Sequence, residues 1–523
     1  MQNTIDFLTF VVRGKKVKPC TYRISSHAFL RLLGLVYLVA FASLWMQVEG
    51  LVGSQGILPA TEHMERVSTW LEAQDRGYLA FPTICWLSTD DGFLKLLCAG
   101  GALVALVAVL FPLSAPLWFL LWGAYLSLVL ICQDFLSFQW DILLLETGFL
   151  AIFLAPMRLV PGRMQMYRPS PLARWLCYWL LFRLLLASGL VKLTWDDPTW
   201  WNLSALQFHY ETQCLPPWTA WYFHQLPAWF QQASVAGTYF IECVLGFFVF
   251  FPRRLRLLAG LVQIAFQGAI IVSGNYCFFN YLTIALCLLV VDDTAWKAVR
   301  SWFKKRPWFK TQIEPSRVEP VEAEVAPRKV LRPWPRWVVG PVAAGIFLAS
   351  IPVFVGGLHP DREEWPAPTN SVLRVLRPFH LVNSYGLFRD MTTERPEIIL
   401  EGSNDGKKWK PYEFMYKPGD LSRRPAFVAP HQPRLDWQMW FAALRGNWRN
   451  VYWFRGLCRR LLEGSEPVLG LLAVNPFPEK PPRYLRAILY NYNFTTPAER
   501  KKSGNWWKRE RKGLYMPSIS LGR

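Results

Sequence analysis

The sequence contains no GxSxG elbow, no HExxH, no P-loop and no GxGxxG. The local signatures of serine hydrolases, zinc peptidases, nucleotide hydrolases and dinucleotide enzymes are therefore missing. Histidine is scarce, with seven in 523 residues, and no two stand at a tight metal-ligand spacing; neither a metal nor a cofactor is expected. The ten cysteines form no paired CxxC, which removes the common zinc and dithiol patterns. Basic residues are absent from 194–233, although the whole chain has 57 Lys and Arg against 37 Asp and Glu. No cleavable leader is evident: residues 1–31 are basic and polar, the first apolar run is long, and it lacks a small-residue cleavage site. That run reads as an uncleaved span. No internal repeat stands out.

What the chain does have is long apolar runs, at 29–48, 94–111, 117–135, 142–156, 175–193, 234–251, 257–273, 278–291 and 338–356. Most approach the ~20 residues that cross ~30 Å of hydrocarbon; the fourth and eighth are short and fit a place inside the bundle. A membrane-buried part averaged with a polar part explains a mean hydropathy of only +0.16 in a chain that is 52% hydrophobic. The 27 Trp suit both interfacial anchoring and the packing of a large core. A net charge of +20 would suggest nucleic acid in a soluble protein. Beside membrane spans it reads as topology and contact with anionic lipid headgroups, so membrane lipids are expected partners and nucleic acid is not.

Loop charge gives the sidedness. Residues 1–31 carry six Lys/Arg and one acid, the loop after the fourth run holds Arg158, Arg163, Arg168 and Arg174, the turn after the sixth holds Arg253, Arg254 and Arg256, and 292–336 carries eleven Lys/Arg. The positive-inside rule makes these cytoplasmic. In contrast, 50–93 has two Arg against six acids. The expected organisation is a cytoplasmic N-terminus (1–28), a transmembrane helical domain (29–291) with outer loops 50–93 and 194–233, a basic cytoplasmic linker (292–337), a last span (338–357) and an extracytoplasmic domain (358–523). Five cysteines fall in apolar runs as small hydrophobes. Cys85 and Cys214 lie in loops assigned to the outer side, where a disulfide between them is one option.

The C-terminal part changes character. Strands are expected at 397–401, 409–416, 427–430 and 483–494, with a tight turn at 403–406, helices at 436–444 and 450–462, and either strand or helix at 468–472. The basic stretch 501–512 reads as a solvated tail or an anionic-lipid contact. The fold class is thus a polytopic α-helical membrane protein of about nine transmembrane helices, with a β-rich α+β extramembrane domain.

Several strings are long and unusual: QDFLSFQWD at 133–141, LLLETGFL at 143–150, LTWDDPTW at 193–200, HYETQ at 209–213, WYFHQLP at 221–227, EGSNDG at 401–406 and PHQPRLDWQMW at 430–440. In this order the chain resembles the lipase maturation factor family over nearly its whole length. The membrane part is also similar, more weakly, to the helical domain of vitamin K-dependent γ-carboxylase. The resemblance implies an integral protein of the endoplasmic reticulum membrane, or of the inner membrane in a bacterium. It also implies a role in folding and dimer assembly of secreted lipases, which would be its client partners. It implies no oligomeric state.

Ionisable residues near the spans are the candidate sites, because charge near the bilayer centre costs several kcal/mol unless paired or wet. Asp141 and Glu146 suit a cavity open to the outer side with Lys192 as counter-charge, and suit equally interhelical ion pairs that fix the bundle. The loop 195–227, with Asp196, Asp197, His209, Glu211 and His224 among many aromatics, reads as a client-binding surface or as a scaffold sealing the bundle. His431, Arg434 and Asp436 suit a polar network with Trp437 and Trp440 as apolar anchors, or an Arg–Asp pair in a core. A non-catalytic membrane chaperone is one outcome. The alternative is a membrane enzyme of carboxylase-like or redox type using the polar residues at the outer mouth. A transporter would require broken helices and inverted repeats, which the sequence does not display.

Overall fold

A computed structural model describes residues 21–159, 167–304, 331, 333–359 and 365–521; the expectations for 1–20, Arg163, the linker residues 305–330 and 332, 360–364 and 522–523 lie outside the described residues. Helices occupy each apolar run: α1 Arg23–Trp45, α2 Asp91–Leu110, α3 Ala115–Ile131, α4 Gln139–Leu154, α5 Pro171–Thr194, α6 Ala228–Phe250, α7 Arg253–Ser273, α8 Phe279–Leu288 and α9 Arg336–Leu358. Six of them (α1, α2, α5, α6, α7 and α9) are long and apolar enough to cross a membrane. Length and composition thus give six candidate spans among the described residues, and the three shorter helices α3, α4 and α8 fall below that length. The boundaries follow from local chemistry. Pro171 opens α5 behind Ser170, whose hydroxyl accepts the Ala173 N–H at 3.4 Å.

Small residues set the helix spacing. A Cβ on Gly101 of α2 would lie 2.4 Å from the Phe41 ring of α1, so only glycine lets those helices meet there. Helix α5 is buried along most of its length, whereas α2, α6, α7 and α9 turn apolar outer faces outward, among them Leu103, Phe247, Leu261 and Leu348, as helices bordering lipid do. Helix α6 is irregular. It is α-helical over Ala228–Tyr239, widens to a π turn at Phe240–Val244 and tightens to a 3-10 helix over Leu245–Phe250.

The two ends of the bundle differ. At the N-terminal end of α1, Asp293 accepts hydrogen bonds from the Thr21 hydroxyl (2.5 Å) and the Ile24 N–H (2.9 Å), Arg253 pairs with Asp292 at 2.5 Å, and the Arg174 guanidinium lies 3.6 Å from the Tyr22 ring centre. About 35 Å away, at the rise of ~1.5 Å per residue, the other end of α1 meets the C-terminal domain. There 50–93, 194–233 and the C-terminal residues gather. The Ser465 hydroxyl donates to the Gln55 carbonyl at 2.7 Å, and Trp221 Nε1 to the Thr495 carbonyl at 2.8 Å.

The C-terminal domain holds a four-stranded antiparallel sheet in the order β2–β1–β5–β6 and a two-stranded one of β3 and β4. The strands are β1 Pro396–Ser403, β2 Lys410–Pro411, β3 Glu413–Phe414, β4 Leu472–Val474, β5 Tyr484–Phe494 and β6 Trp507–Ile519; helices α10 Arg434–Leu444 and α11 Tyr452–Glu463 pack with them. Helix is as prominent as strand in this sheet-containing domain. The 403–406 turn is present, with Gly406 at φ +69°, and 468–472 divides into a short helix, Glu466–Leu469, and the start of β4.

Two expectations are corrected, and one open option is decided. Residues 427–430 are not a strand: the bundle's Asn275 side chain accepts the Val428 and Ala429 N–H groups at 2.9 and 3.1 Å and donates to the Ala426 carbonyl at 2.9 Å. It takes the hydrogen bonds a neighbouring strand would supply. Residues 501–512 are not a tail: a short helix, Pro497–Ser503, closed by a Thr496/Glu499 capping box leads into β6, where Trp507 stacks on Phe494 at 4.3 Å. Burial of that indole outweighs the solvation of the charges that follow it, and Lys508 to Lys512 all stay exposed in the strand. Cys85 and Cys214 are both free and buried, the first below the Thr83–Ser127 contact and the second beside Arg395.

The tight crossing of α4 over α1 yields a prediction. A Cβ on Gly148 would lie 1.9 Å from the Tyr37 hydroxyl oxygen, in a fully buried place. Gly148→Ala should therefore destabilise the protein by about 1–3 kcal/mol. Adding Tyr37→Phe should recover part of the loss of thermal stability in detergent; a Gly148→Ala protein that melts like the parent would show that α1 and α4 do not meet this way.

Candidate functional site

The end of the bundle away from Tyr22 and the C-terminal domain are joined by polar groups withdrawn from water. Asp141 stands in the first turn of α4 and Arg434 opens α10, and both are at most 1% exposed. The guanidinium grips the carboxylate with two bonds, 2.6 Å to Oδ2 and 2.9 Å to Oδ1, and Tyr125 donates its hydroxyl to Oδ1 at 2.6 Å. The arginine also reaches the Phe135 carbonyl at 3.1 Å. This planar fork is the geometry that repays desolvation best. The residues before Arg434 are clipped to α1: Gln47 accepts the Arg434 N–H at 2.8 Å and donates to the Gln432 carbonyl at 2.9 Å, while the Ser43 hydroxyl lies 2.8 Å from His431 Nδ1. Trp437 packs edge-on against Trp140 at 4.7 Å.

Asp436 does not pair with Arg434. It caps the backbone instead, accepting the Tyr416 and Lys417 N–H groups at 2.7 and 2.8 Å; burial lifts its carboxyl above the ordinary range while those donors pull it down. Glu146, one and a half turns along α4 from Asp141, is satisfied in the same manner. It pairs with Arg183 of α5 and accepts the Tyr385 hydroxyl at 2.8 Å and the Asn383 N–H at 3.1 Å. Lys192 is thus not the counter-charge of Asp141 or Glu146. Its partner is Glu242 on the π turn of α6, at 2.7 Å.

The aromatic loop 195–227 lies against the C-terminal domain, with Trp221 and Tyr210 in one cluster with Tyr492, Phe494, Trp506 and Trp507. Arg395, just ahead of β1, donates to the Glu211 carbonyl at 2.7 Å and the Cys214 carbonyl at 2.8 Å and pairs with Glu397 at 2.8 Å. Glu211 accepts the Phe494 N–H at 2.9 Å and faces His224 at 3.6 Å. Asp197 caps the short helix Pro198–Trp201 through the Thr199 N–H at 2.8 Å and takes the Met391 N–H at 2.5 Å. Asp196 is exposed. His209 lies 3.0 Å from the Tyr276 hydroxyl, and burial together with the nearby Lys192 pushes its imidazole down to about 4.

Of the four groups a catalytic cavity would bring together, the structure joins two: Lys192 and His209 line one cavity, while Asp141 and Glu146 sit in separate ion pairs. Among the described residues no group of three His, Cys, Asp or Glu is placed to hold a metal ion. The sequence reading missed Arg183, Arg395, Asn275 and Asn383. Arg183 carried a visible signal, a cation in the middle of an apolar run; the others look like ordinary loop or strand residues until their partners arrive.

The chain is similar to known proteins over nearly its whole length. Residues 24–298 match the family model described as "Lipase maturation factor transmembrane domain" and residues 381–517 the one described as "Lipase maturation factor C-terminal domain". The chain is 40% identical to Lipase maturation factor 2 of Gallus gallus, covering 94% of this chain and 81% of that protein. It is 39% identical to Lipase maturation factor 2 of Homo sapiens (96% and 83%) and 36% identical to Lipase maturation factor 1 of Mus musculus (96% and 88%). No solved structure matches.

Two predictions follow from the buried groups. Arg434→Met leaves the Asp141 carboxylate unpaired and should cost about 3–5 kcal/mol; pairing it with Asp141→Leu should restore most of the melting temperature, and an unaffected single variant would refute the linkage. Burial, aided by Arg434, also pushes His431 down to about 4, as it does His209, from an ordinary 6.5. The unfolded chain then takes up protons below about 6.5 that the folded one refuses until about 4. The stability these two neutral imidazoles contribute is therefore complete above pH 6.5 and declines as pH falls through that window. His209→Asn and His431→Asn should each flatten the fall of melting temperature over that range; unchanged slopes would count against both environments.

Proposed function

The chain belongs to the lipase maturation factor family, and from that premise we propose that it is a non-catalytic membrane chaperone that assists folding and dimer assembly of secreted lipases on the outer side of its membrane. That side is the lumen of the endoplasmic reticulum in a eukaryote. The observation that carries the reading is the fusion of loops 50–93 and 194–233 with the C-terminal domain into one platform, locked to the bundle by Arg434–Asp141 and by Arg395 on the loop carbonyls. A platform of this kind holds a partly folded client at a fixed height above the membrane without any chemical step.

The proposed topology is nine crossings with the basic connections in the cytoplasm. It is supported by the gathering of Tyr22, Arg174, Arg253 and Asp293 at one end of the bundle and of the acidic, Trp-rich loops at the other. For client contact we favour β6, the last strand in the sheet order, whose exposed Lys508, Arg509, Arg511 and Lys512 precede an exposed Leu514. An edge of this sort accepts an added strand by backbone hydrogen bonds, and its charges keep it from pairing with itself.

The test compares cells with and without the gene for the ratio of active to total secreted lipase. A lower ratio without it, restored by the parent but less well by Lys508→Glu/Arg511→Glu/Lys512→Glu at an unchanged melting temperature, is expected. An unchanged specific activity in the deletion would sink the maturation role. Separately, a tag within 305–330 should be reached from the cytosol and a tag after residue 521 should not; accessibility of both from one side would overturn the topology.

A further inference from the structure

Lys192 and Glu242 form a buried ion pair at the outer mouth that fronts a sizeable cavity. The cavity measures about 340 Å³ and is walled by α6, α7 and the aromatic loop, with apolar groups such as Phe230, Ile241, Phe266 and Ile270 over most of its lining. That volume lies within the ~300–1,000 Å³ of small-molecule sites. A hollow of about 60 Å³ that shares Lys192, Glu242 and Tyr276 extends toward Asn280 of α8. Close approach of α5 and α6 makes the polar end: a Cβ on Gly189 would lie 2.4 Å from the Cys243 sulfur and 3.0 Å from Glu242 Cβ, so only glycine lets the π turn of α6 descend on α5. Such π turns recur at functional sites.

The pair is not saturated. The Lys192 ammonium donates to Glu242 Oε2 and to the Ser188 carbonyl, both at 2.7 Å, which uses two of its three N–H donors. Glu242 accepts on Oε2 only. The third N–H, with the Trp200 ring centre 5.2 Å from the ammonium, and Glu242 Oε1 thus make no hydrogen bond among the described residues. Charge decides what suits them: the ammonium and carboxylate cancel, and His209 is neutral above about 4. An ionised head would bring an uncompensated charge into apolar surroundings, which is costly, whereas a hydroxyl beside a carbonyl meets both open positions. The outer faces of α6 and α7 are exposed and apolar at Phe240, Val244, Leu261 and Val272, the surface two helices present to acyl chains.

We propose that this cavity is a binding site for a neutral single-chain lipid of the monoacylglycerol class, which enters between α6 and α7, lays its acyl chain along the apolar wall and sets its hydroxyl and ester carbonyl against Glu242 and Lys192. The proposal does not depend on the client reading above, since it concerns a ligand held at the membrane boundary rather than a protein on the platform.

The test uses the full chain in lipid nanodiscs and a monoacylglycerol carrying a diazirine in its acyl chain. Saturable photolabelling should fall on peptides of 228–276, with 1-oleoylglycerol competing at least tenfold better than oleate or a lysophospholipid. A Cβ at Gly237 meets nothing within 4 Å, so Gly237→Phe should fill the cavity and cut labelling at least tenfold with the melting temperature unchanged. Glu242→Gln leaves Lys192 uncompensated and should reverse the preference toward oleate; this arm decides the matter if Gly237→Phe proves unstable. Labelling elsewhere, labelling that a stable Gly237→Phe leaves intact, oleate competing equally in the parent, or an unchanged preference in Glu242→Gln would each overturn the proposal.

Discussion

A charge withdrawn from water must bring its partner with it, and the pairing of Asp141 with Arg434 is where that constraint shapes the molecule. The two residues are 293 positions apart, one in helix α4 of the bundle and one at the start of a helix in the C-terminal domain. Neither is tolerable in its place alone. Their union fixes the height and orientation of α10, and with it the sheet on which α10 rests. Glu146 repeats the device with Arg183, drawing Asn383 and Tyr385 into the bundle. Arg395 repeats it without a carboxylate from the loop, through backbone carbonyls alone. The C-terminal domain is thus part of the bundle's outer wall, not a separate body tethered to it.

Much of this architecture was legible in the sequence because it depends on local pattern. Apolar runs predict helices by length, the alternation in 484–494 predicts a strand, and Asn-Asp-Gly predicts the turn at Gly406. The count of spans was less legible, since α3, α4 and α8 are too short to announce themselves by length. What failed had a common cause. Residues 427–430 look like a strand but are held by one asparagine side chain from far away. Residues 501–512 look like a solvated tail because charge outnumbers everything else, yet Trp507 has Phe494 to bury itself against. Both depend on a contact that sequence spacing does not encode.

The candidate site was legible in its residues and illegible in its pairings. Asp141, Glu146 and Lys192 were recognisable as ions in costly places, and Arg434 as a member of a polar network or an Arg–Asp pair. Their partners were not, because many cations and carboxylates admit many pairings and only the packing chooses. Asp436 illustrates the point: two residues from Arg434, it seems the obvious mate, but on a helix that spacing points the two side chains apart. The carboxylate instead holds the Tyr416–Lys417 backbone.

These pairings also divide the polar residues by what they leave available. Asp141 and Glu146 are enclosed by donors on every side, and a group so enclosed has nothing left with which to recognise a ligand. Lys192 and Glu242 satisfy each other only in part and face a cavity. The difference originates in helix geometry: α4 and α5 run regularly past their partners, whereas α6 breaks register at Phe240–Val244, which turns Glu242 inward and leaves space beside it. An irregular turn that served packing alone would be expected to close that space, as the π turn's close contact with Gly189 does on its other side. The enclosed pairs therefore hold the C-terminal domain to the bundle, and the Lys192–Glu242 pair lies where a cavity opens beside it.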